Sequence, residues 1–147
     1  MMTSKEFLNQ AYRIDERINS KIEQVRSLRD LATKATSVLS LVPNSGTRNV
    51  HRMEDIIAKM ADIEAEVNSD VEHLLEIKRI VREIINDVDN VTYRTILELR
   101  YLCFKTWDEI AATMYYDYRY LLKIHDRALK AVDTKRHYKT NNKPAIM

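Results

Sequence analysis

Three basic side chains near the C-terminal end, Arg119, Lys123 and Arg127, lie four residues apart and would share one side of a helix. A guanidinium group can donate two parallel hydrogen bonds to a guanine edge, whereas an ammonium group binds a phosphate as a point charge. We expect Arg119 to contact a base and the other two to contact phosphates. The pattern therefore indicates a DNA-binding surface, for which the competing interpretation is a solvated helix face.

Polar and apolar side chains around these cations fit the same surface. The hydroxyl groups of Tyr118 and Tyr120 can donate hydrogen bonds to phosphates, and Leu122 can contact a thymine methyl group. Thr106 is expected to cap an earlier helix whose N-terminal amides lie against the DNA backbone, because helix N-termini favour anions. Asp117, by contrast, places a negative charge close to the expected phosphates. The predicted DNA-binding residues are Thr106, Tyr118, Arg119, Tyr120, Leu122, Lys123 and Arg127.

Three short helices over residues 92–132 would position this surface, and the last two have helix-turn-helix spacing. Thr92 is the expected cap of the first helix, and Thr106 is expected to cap the second in a capping box with Glu109. Asp117 is the expected cap of the third helix, which would lie in the DNA major groove. The inward-facing positions of the last two helices are expected to be Ile110, Ala111, Leu121, Ile124, Ala128 and Val132.

The first part of the chain predicts a long antiparallel helical hairpin. Apolar side chains recur at steps near three and four over residues 4–41, with Ser4 as N-cap, and over residues 51–88, which is typical of coiled-coil-like helices. The segment between them contains Pro43 and the only glycine, Gly46, which indicates a turn and argues against one continuous coiled coil. The stripes comprise Phe7, Ala11, Ile14, Ile18, Ile22, Val25, Leu28, Ala32, Ala35 and Leu39, and then Ile56, Met60, Ile63, Val67, Leu74, Ile77, Val81, Ile84 and Val88.

Two charged residues interrupt the apolar stripes, Lys21 in the first helix and Asp70 in the second. Both lie at about the same distance along the chain from the turn, so an antiparallel hairpin would bring them together. An out-of-register hairpin would leave both charges in apolar surroundings, and a contact between them would therefore fix the register. We predict a Lys21–Asp70 contact, with both side chains bending outward to water as the alternative.

Charge is distributed unevenly along the chain. Residues 1–90 hold 13 Lys and Arg against 16 Asp and Glu, a net charge of −3, whereas residues 91–147 hold 11 against 6, a net charge of +5. The basic excess coincides with the predicted helix-turn-helix, where a nucleic-acid footprint should be. The basic tail over residues 133–147 has no periodicity and is predicted to be disordered.

Composition and spacing argue against several other classes of protein. No run approaches about 18 apolar residues, and the N-terminus lacks the apolar core of a secretory signal, so we expect a cytoplasmic protein without a membrane segment. The single cysteine, Cys103, fits a reducing compartment and is expected to be buried. Asp70 and His73 have the spacing of a carboxylate–histidine metal pair, but the further ligands are lacking. Without a phosphate-binding glycine loop or a nucleophile–histidine arrangement, we predict no enzyme activity, no metal and no cofactor.

The aromatic residues of the C-terminal region are interpreted as packing residues. Trp107, at the start of the second short helix, is expected to fill the small core rather than to stack on a base. Tyr93, Tyr101, Tyr115 and Tyr116 are expected to pack at the edges of that core. The four histidines are scattered along the chain and carry no predicted role.

Two strings in this region, LELRYL-x-x-KTW-x-EIA at residues 97–111 and YRYLLKIHDRAL at residues 118–129, resemble a known family. They resemble the C-terminal region of small phage and prophage proteins from Gram-positive bacteria, the RinA/ArpU-type phage transcription regulators. The region is more distantly similar to the promoter-reading region 4 of sigma factors. Residues 15–36 and 52–74 also resemble the phage family, so the similarity covers about residues 5–132.

The resemblance implies control of transcription, with late genes as candidate targets and host RNA polymerase as a candidate contact. Family members commonly carry Gly and Ser where this chain has Tyr115 and Asp117. At the turn position, glycine or asparagine adopts positive φ more easily than tyrosine does. We therefore expect weaker DNA contact than the motif alone predicts.

Together these patterns predict an all-α protein. An antiparallel helical hairpin over residues 1–89, with its turn near 42–50, precedes a three-helix, sigma-region-4-like helix-turn-helix over residues 90–132 and the basic tail. The predicted function is a phage-encoded transcription regulator that binds double-stranded DNA, with host RNA polymerase as a candidate partner and with candidate self-association through the hairpin. The alternatives are a module that binds RNA polymerase or another phage protein without reading DNA, and a purely structural coiled-coil adaptor.

Overall fold

The computed structural model describes residues 2–41 and 46–141, and the side chains of residues 2–36 and 50–136. Within these ranges the chain is helical and contains no strand, which confirms the all-α class. The predicted turn at Pro43 lies outside the described residues. The helices are α1 (Ser4–Leu8), α2 (Gln10–Leu41), α3 (Gly46–Asn86), α4 (Val91–Tyr101), α5 (Trp107–Met114) and α6 (Tyr118–Asn141).

Packing divides the chain into two compact units, which are described separately. The central unit comprises Ile14–Leu74, and the terminal unit comprises Met1–Arg13 together with Leu75–Met147. The sequence instead placed a boundary at residues 89–90. The difference arises because the apolar stripe runs past the end of α3 to Val88, and Val81, Ile85 and Val88 are buried in the same cluster as side chains of α4 and α6.

In the central unit, side chains of α2 and α3 face each other in antiparallel order. Val25 and Val67 line one groove between the two helices, and Leu28 and Ile63 line another. Residue numbers therefore fall along α3 as they rise along α2. The steps of three and four between the inward positions place them on one side of each helix, as the amphipathic pattern requires.

Lys21 and Asp70 form the contact that the sequence predicts. Lys21 Nζ donates to Asp70 Oδ2 at 2.6 Å, and Glu66 Oε2 lies 3.4 Å from the same nitrogen. The side chains of the pair are mostly buried, with 15% and 19% of their areas exposed. Their hydrogen bond raises the pKa of Lys21 and lowers the pKa of Asp70, so both groups stay charged. Lys21 takes an inward position here, and Ile22, which the sequence placed in the stripe, is 42% exposed.

Two apolar clusters form the core of the terminal unit, and Tyr93 packs against both. The first joins α1 and the end of α3 to α4 and α6, and the second joins α4, α5 and α6. Each fully buried Ile or Leu side chain contributes about 1.5–3 kcal/mol to stability. The second cluster fixes the two helices of the predicted DNA-binding region against α4. The buried members are Leu8, Val81, Ile85, Val88, Leu97, Tyr101, Ala128 and Val132 in the first cluster, and Ile96, Ile110, Leu121 and Ile124 in the second.

Two helices begin at caps other than the predicted ones. Thr3, not Ser4, caps α1: Thr3 Oγ1 accepts from the Glu6 N–H at 3.2 Å, and Glu6 Oε2 accepts from the Thr3 N–H at 2.9 Å. Asn90, not Thr92, caps α4, because Asn90 Oδ1 accepts a hydrogen bond from the Tyr93 N–H at 3.1 Å. In both cases the cap lies one or two positions before the predicted residue, and both residues are of types that cap helices well.

Helix α6 continues to Asn141, so the prediction of a disordered tail from Asp133 onward is wrong up to that residue. A contact with the N-terminal segment holds the extension in place. The hydroxyl group of Ser4 is buried against Asp133, and Arg136 Nη1 donates to Ser4 Oγ at 3.0 Å. The rest of the predicted tail, residues 142–147, lies outside the described residues.

Candidate nucleic-acid interface

Thr106 begins α5, as predicted. Its Oγ1 accepts a hydrogen bond from the Glu109 N–H at 3.2 Å. The reciprocal half of the expected capping box is replaced by an ion pair, because the Glu109 carboxylate lies 3.8 Å from Lys105 Nζ. The N-terminus of α5 therefore carries one side-chain cap and an acidic first turn. Its remaining amides still favour an anion, although the nearby carboxylates oppose one.

The turn before α5 is held by aromatic and cationic side chains. Phe104 has φ 58°, in the left-handed region. Lys78 Nζ lies 4.6 Å from the Phe104 ring centroid and donates to Leu102 O at 3.2 Å, while the Tyr12 ring meets the Phe104 ring edge-on at 5.7 Å. Cys103 is exposed in this turn, so the prediction that it is buried is wrong. It follows the last turn of α4, where the chain leaves the core.

The three residues between α5 and α6 form a tight turn. Tyr115 has φ 57° and ψ 39°, and the N–H groups of Tyr115 and Tyr116 both donate to Ala111 O. Asp117 Oδ2 accepts from the Arg119 N–H at 3.1 Å, which confirms Asp117 as the cap of α6. The left-handed conformation costs a non-glycine residue about 1–2 kcal/mol. Tyr115 is 94% exposed, so packing of its ring does not offset that cost.

The inward face of α6 agrees with the predicted spacing. Leu121, Ile124, Ala128 and Val132 are all buried, and none is more than 5% exposed. Ile110 of α5 is also fully buried and packs with the first two of them. This burial fixes the rotation of α6 about its axis, and so determines which side chains face outward.

A buried histidine that the sequence did not single out joins the three C-terminal helices. His125 is 4% exposed, and its Nε2 lies 2.7 Å from the hydroxyl oxygen of Tyr101 on α4. The Trp107 ring of α5 meets the imidazole edge-on, with centroids 4.5 Å apart. Burial lowers the pKa of His125 to about 4 and raises the pKa of Tyr101 to about 12, so both groups are neutral near pH 7. A sequence signal exists, since residue 125 lies four after Leu121 and three before Ala128, on the buried side of α6.

The aromatic predictions have mixed outcomes. Trp107 is half-buried against the second cluster, which confirms its predicted packing, and its outer face is covered by Arg100, whose Cζ lies 4.5 Å from the ring centroid. Tyr93 and Tyr116 pack against the core as expected. The prediction is wrong for Tyr101, which is 1% exposed and lies within the core, and for Tyr115, whose ring packs against nothing.

The predicted DNA-binding residues of α6 reach solvent. Arg119, Lys123 and Arg127 are exposed, and none of their side chains forms an ion pair or hydrogen bond with a residue that the structure describes. Tyr118 is 46% and Tyr120 is 48% exposed. These five side chains thus reach solvent within the first three turns of α6.

Two predicted site residues lie at the margin of this surface. Leu122 is half-buried. Thr106 is exposed, but it lies at the far end of α5, about 12 Å along the helix axis from the turn. Asp117 and Asp126 are exposed close to the cations and reduce the local positive charge. The candidate surface is therefore basic, but only modestly so.

No family model, no curated protein and no solved structure matches this chain. Among the described residues, no helix is both long and apolar enough to cross a membrane, and no group of three or more His, Cys, Asp or Glu is placed to hold a metal ion. The surface of α5 and α6 is therefore the feature of the molecule from which a function can be inferred.

Proposed function

We propose that α4, α5 and α6 act as a helix-turn-helix and that the protein is a transcription regulator that binds double-stranded DNA. In this proposal the central unit is a helical hairpin that serves as scaffold. The observation that carries the proposal is a group of cations on the outward side of α6, next to the turn, that have no ion-pair partner among the described residues: Arg119, Lys123 and Arg127. Their charges remain available to an anionic partner.

The geometry of α6 supports a major-groove contact. A recognition helix presents the side chains of its first turns to base edges, and Arg119 is the second residue of α6. Lys123 and Arg127 follow about 6 and 12 Å further along the helix axis, where phosphates flank the groove. Arg119 would donate to a guanine edge, and the two later cations would neutralise phosphates. Asp117 and Asp126 oppose this binding, so we propose a weak monomeric binder.

The resemblance of residues 97–129 to RinA/ArpU-type regulators supports a role in transcription, with phage late genes as the proposed target. RNA polymerase bound at the same promoter would supply the affinity that a single weak DNA contact lacks. A second copy of the chain would do the same, because two copies double the number of phosphate contacts. The exposed apolar residues Ile22, Leu31 and Ile57 of the central unit offer a surface for such self-association.

Salt-dependent DNA binding tests the proposal. The full chain is used to select bound sequences from random DNA, and its affinity for the enriched duplex is measured by fluorescence anisotropy at several salt concentrations. With two phosphate contacts, the slope of log K against log salt is expected to be about −1.8, so that binding weakens about 12-fold between 50 and 200 mM salt. No binding at low salt, or binding that does not change with salt, would refute DNA as the partner.

Matched variants assign the roles of the cations. Lys123→Ala is expected to weaken binding to all sequences alike and to reduce the salt slope by about 0.9, because one phosphate contact is lost. Arg119→Ala is expected to relax the sequence preference at one position. Arg52→Ala, which removes an exposed charge from the central unit, is the control and should change neither property. Equal effects of Arg52→Ala and Lys123→Ala would mean that the contact surface is assigned to the wrong face.

A protein-interaction module is the second candidate function. Tyrosine and arginine dominate the energetics of many protein interfaces, and Tyr115, Tyr118 and Tyr120 expose large aromatic areas beside Arg119. In this case purified RNA polymerase should retain the full chain in the absence of DNA. Tyr118→Ala should then abolish the retention, whereas Lys123→Ala should leave it nearly unchanged.

A further inference from the structure

The left-handed residue that ends α5 is a tyrosine, where helices commonly end on glycine. Tyr115 occupies the left-handed region, which favours glycine, and its side chain is 94% exposed. Backbone conformations of this kind are retained where the surrounding structure enforces them, and they cluster at functional sites. The ring is therefore available to a partner, on a turn that hydrogen bonds to Ala111 O hold in place.

Two further tyrosine rings lie on either side of the first turn of α6. Tyr118 is 46% exposed, and Tyr120 is 48% exposed. The Tyr120 ring meets the Tyr116 ring edge-on, with centroids 5.2 Å apart and planes at 84°. This edge contact restrains the orientation of the Tyr120 ring, which remains half exposed. The three exposed rings lie within six residues of one another, so a partner that contacts one of them can reach the others.

Free cations lie among these rings. Arg119 and Lys123 are exposed and have no ion-pair partner among the described residues. Aromatic rings interleaved with cations are the arrangement by which proteins bind unpaired nucleic-acid strands: the bases stack on the rings, and the cations follow the phosphates. A fully stacked duplex covers the faces of its bases and presents only their edges in the grooves, so it cannot use the flat face of an exposed ring.

We propose that the surface formed by Tyr115, Tyr118, Tyr120, Arg119 and Lys123 prefers DNA in which bases are unpaired or unstacked, with the Tyr115 ring stacking on an exposed base. The inference deepens the DNA-binding function proposed above and rests on it. It names the form of DNA that this site recognises: a duplex that is opened over a few base pairs. The competing occupant of the same surface, a protein, is an outcome of the test.

The test compares three fluorescent DNA probes of one length and one labelled strand: a full duplex, the same duplex with a central mismatched bubble, and the single strand. Affinity of the full chain is measured by anisotropy at low salt. We expect the bubble to bind about tenfold more tightly than the duplex, which corresponds to stacking of one base. Equal affinity for bubble and duplex overturns the inference but leaves the proposed function standing. No binding to any probe overturns both.

Two substitutions at Tyr115 separate the ring from the backbone. Tyr115→Asn keeps a residue that tolerates the left-handed conformation but removes the ring, and we expect it to lose the tenfold bubble preference while duplex affinity changes less than twofold. Tyr115→Phe keeps the ring and should keep the preference. Leu75→Asn, which removes an exposed apolar side chain from α3, is the matched control and should leave all three affinities unchanged.

The variants also give results that overturn the inference. If Tyr115→Asn lowers the affinities for bubble and duplex equally, the ring does not distinguish unpaired bases. If Tyr115→Phe behaves like Tyr115→Asn, the hydroxyl group is the contact and stacking is refuted. If Tyr115→Asn leaves every DNA affinity unchanged but abolishes binding to purified RNA polymerase, the surface takes a protein, and the inference fails.

Discussion

Acidification should destabilise the terminal unit through His125, and the size of the effect follows from its burial. The imidazole is 4% exposed, and burial lowers its pKa from 6.5 to about 4. The unfolded chain keeps the ordinary pKa, so it binds a proton first as the pH falls. Stability is therefore complete above pH 6.5 and is lost progressively between pH 6.5 and about 4. The full loss amounts to about 3 kcal/mol, of which about 2 kcal/mol is lost by pH 5.

Urea unfolding at pH 7.5, 6 and 5 measures this loss. Trp107 is the only tryptophan, and its ring lies 4.5 Å from the imidazole, so its fluorescence reports both unfolding and protonation of His125. In the native protein, protonation should quench the fluorescence with a midpoint near pH 4. His125→Gln is the control, because an amide can keep a hydrogen bond with the Tyr101 hydroxyl group but does not titrate.

Between pH 7.5 and 5, the free energy of unfolding of the variant should fall by about 2 kcal/mol less than that of the parent protein. Burial is the largest cause of the lowered pKa of His125. The neighbouring charges act in both directions, because Asp126 raises this pKa and Lys5 and Arg100 lower it. Identical pH dependence of the two proteins would show that His125 does not carry the effect. A native-state midpoint near pH 6.5 would contradict the burial of the imidazole.

Four further substitutions test the fold. Tyr115→Gly should raise the free energy of unfolding, measured in urea, by about 0.5–1 kcal/mol, because the relief of left-handed strain exceeds the added entropy of the unfolded chain. A decrease would mean that the Tyr115 side chain stabilises the turn. Asn90→Ala should lower the free energy of unfolding by about 1 kcal/mol, because α4 loses its N-cap. An unchanged value would mean that Thr92 caps the helix instead. Lys21→Met alone should lower the melting temperature more than Lys21→Met combined with Asp70→Leu, because the single change leaves the mostly buried Asp70 carboxylate without its lysine. Additive single effects in circular dichroism melts would exclude that coupling.

Periodicity predicted the inward-facing positions well. The spacing of Leu121, Ile124 and Ala128 is a local property of the sequence, and a helix converts it directly into one buried face. The Lys21–Asp70 contact was predictable for a related reason. Two charges break otherwise apolar stripes at matching distances from a turn signal, and one antiparallel register satisfies both.

Features that depend on distant partners were not predictable in this way. The position of His125 on the buried side of α6 follows from the spacing, but no local pattern indicates its hydrogen-bond partner, the Tyr101 hydroxyl group 24 residues earlier. The extension of α6 beyond residue 132 depends on the contact of Asp133 and Arg136 with Ser4, at the opposite end of the chain. Asn90 and Thr92 are both favourable capping residues two positions apart, so capping preference alone did not distinguish them.

One unbroken helix, α6, links the candidate interface to the N-terminal segment. Asp133 lies about 22 Å along the helix axis from Tyr118, so a tilt of about 5° at the turn moves the Asp133 end by about 2 Å. Hydrogen bonds weaken steeply over such a displacement, and the contact of Ser4 with Asp133 and Arg136 lies at that end. Because α6 is unbroken, a ligand that tilted its first turns would displace the Asp133 end and loosen the contact with Ser4, and faster hydrogen exchange at residues 3–8 would reveal that change.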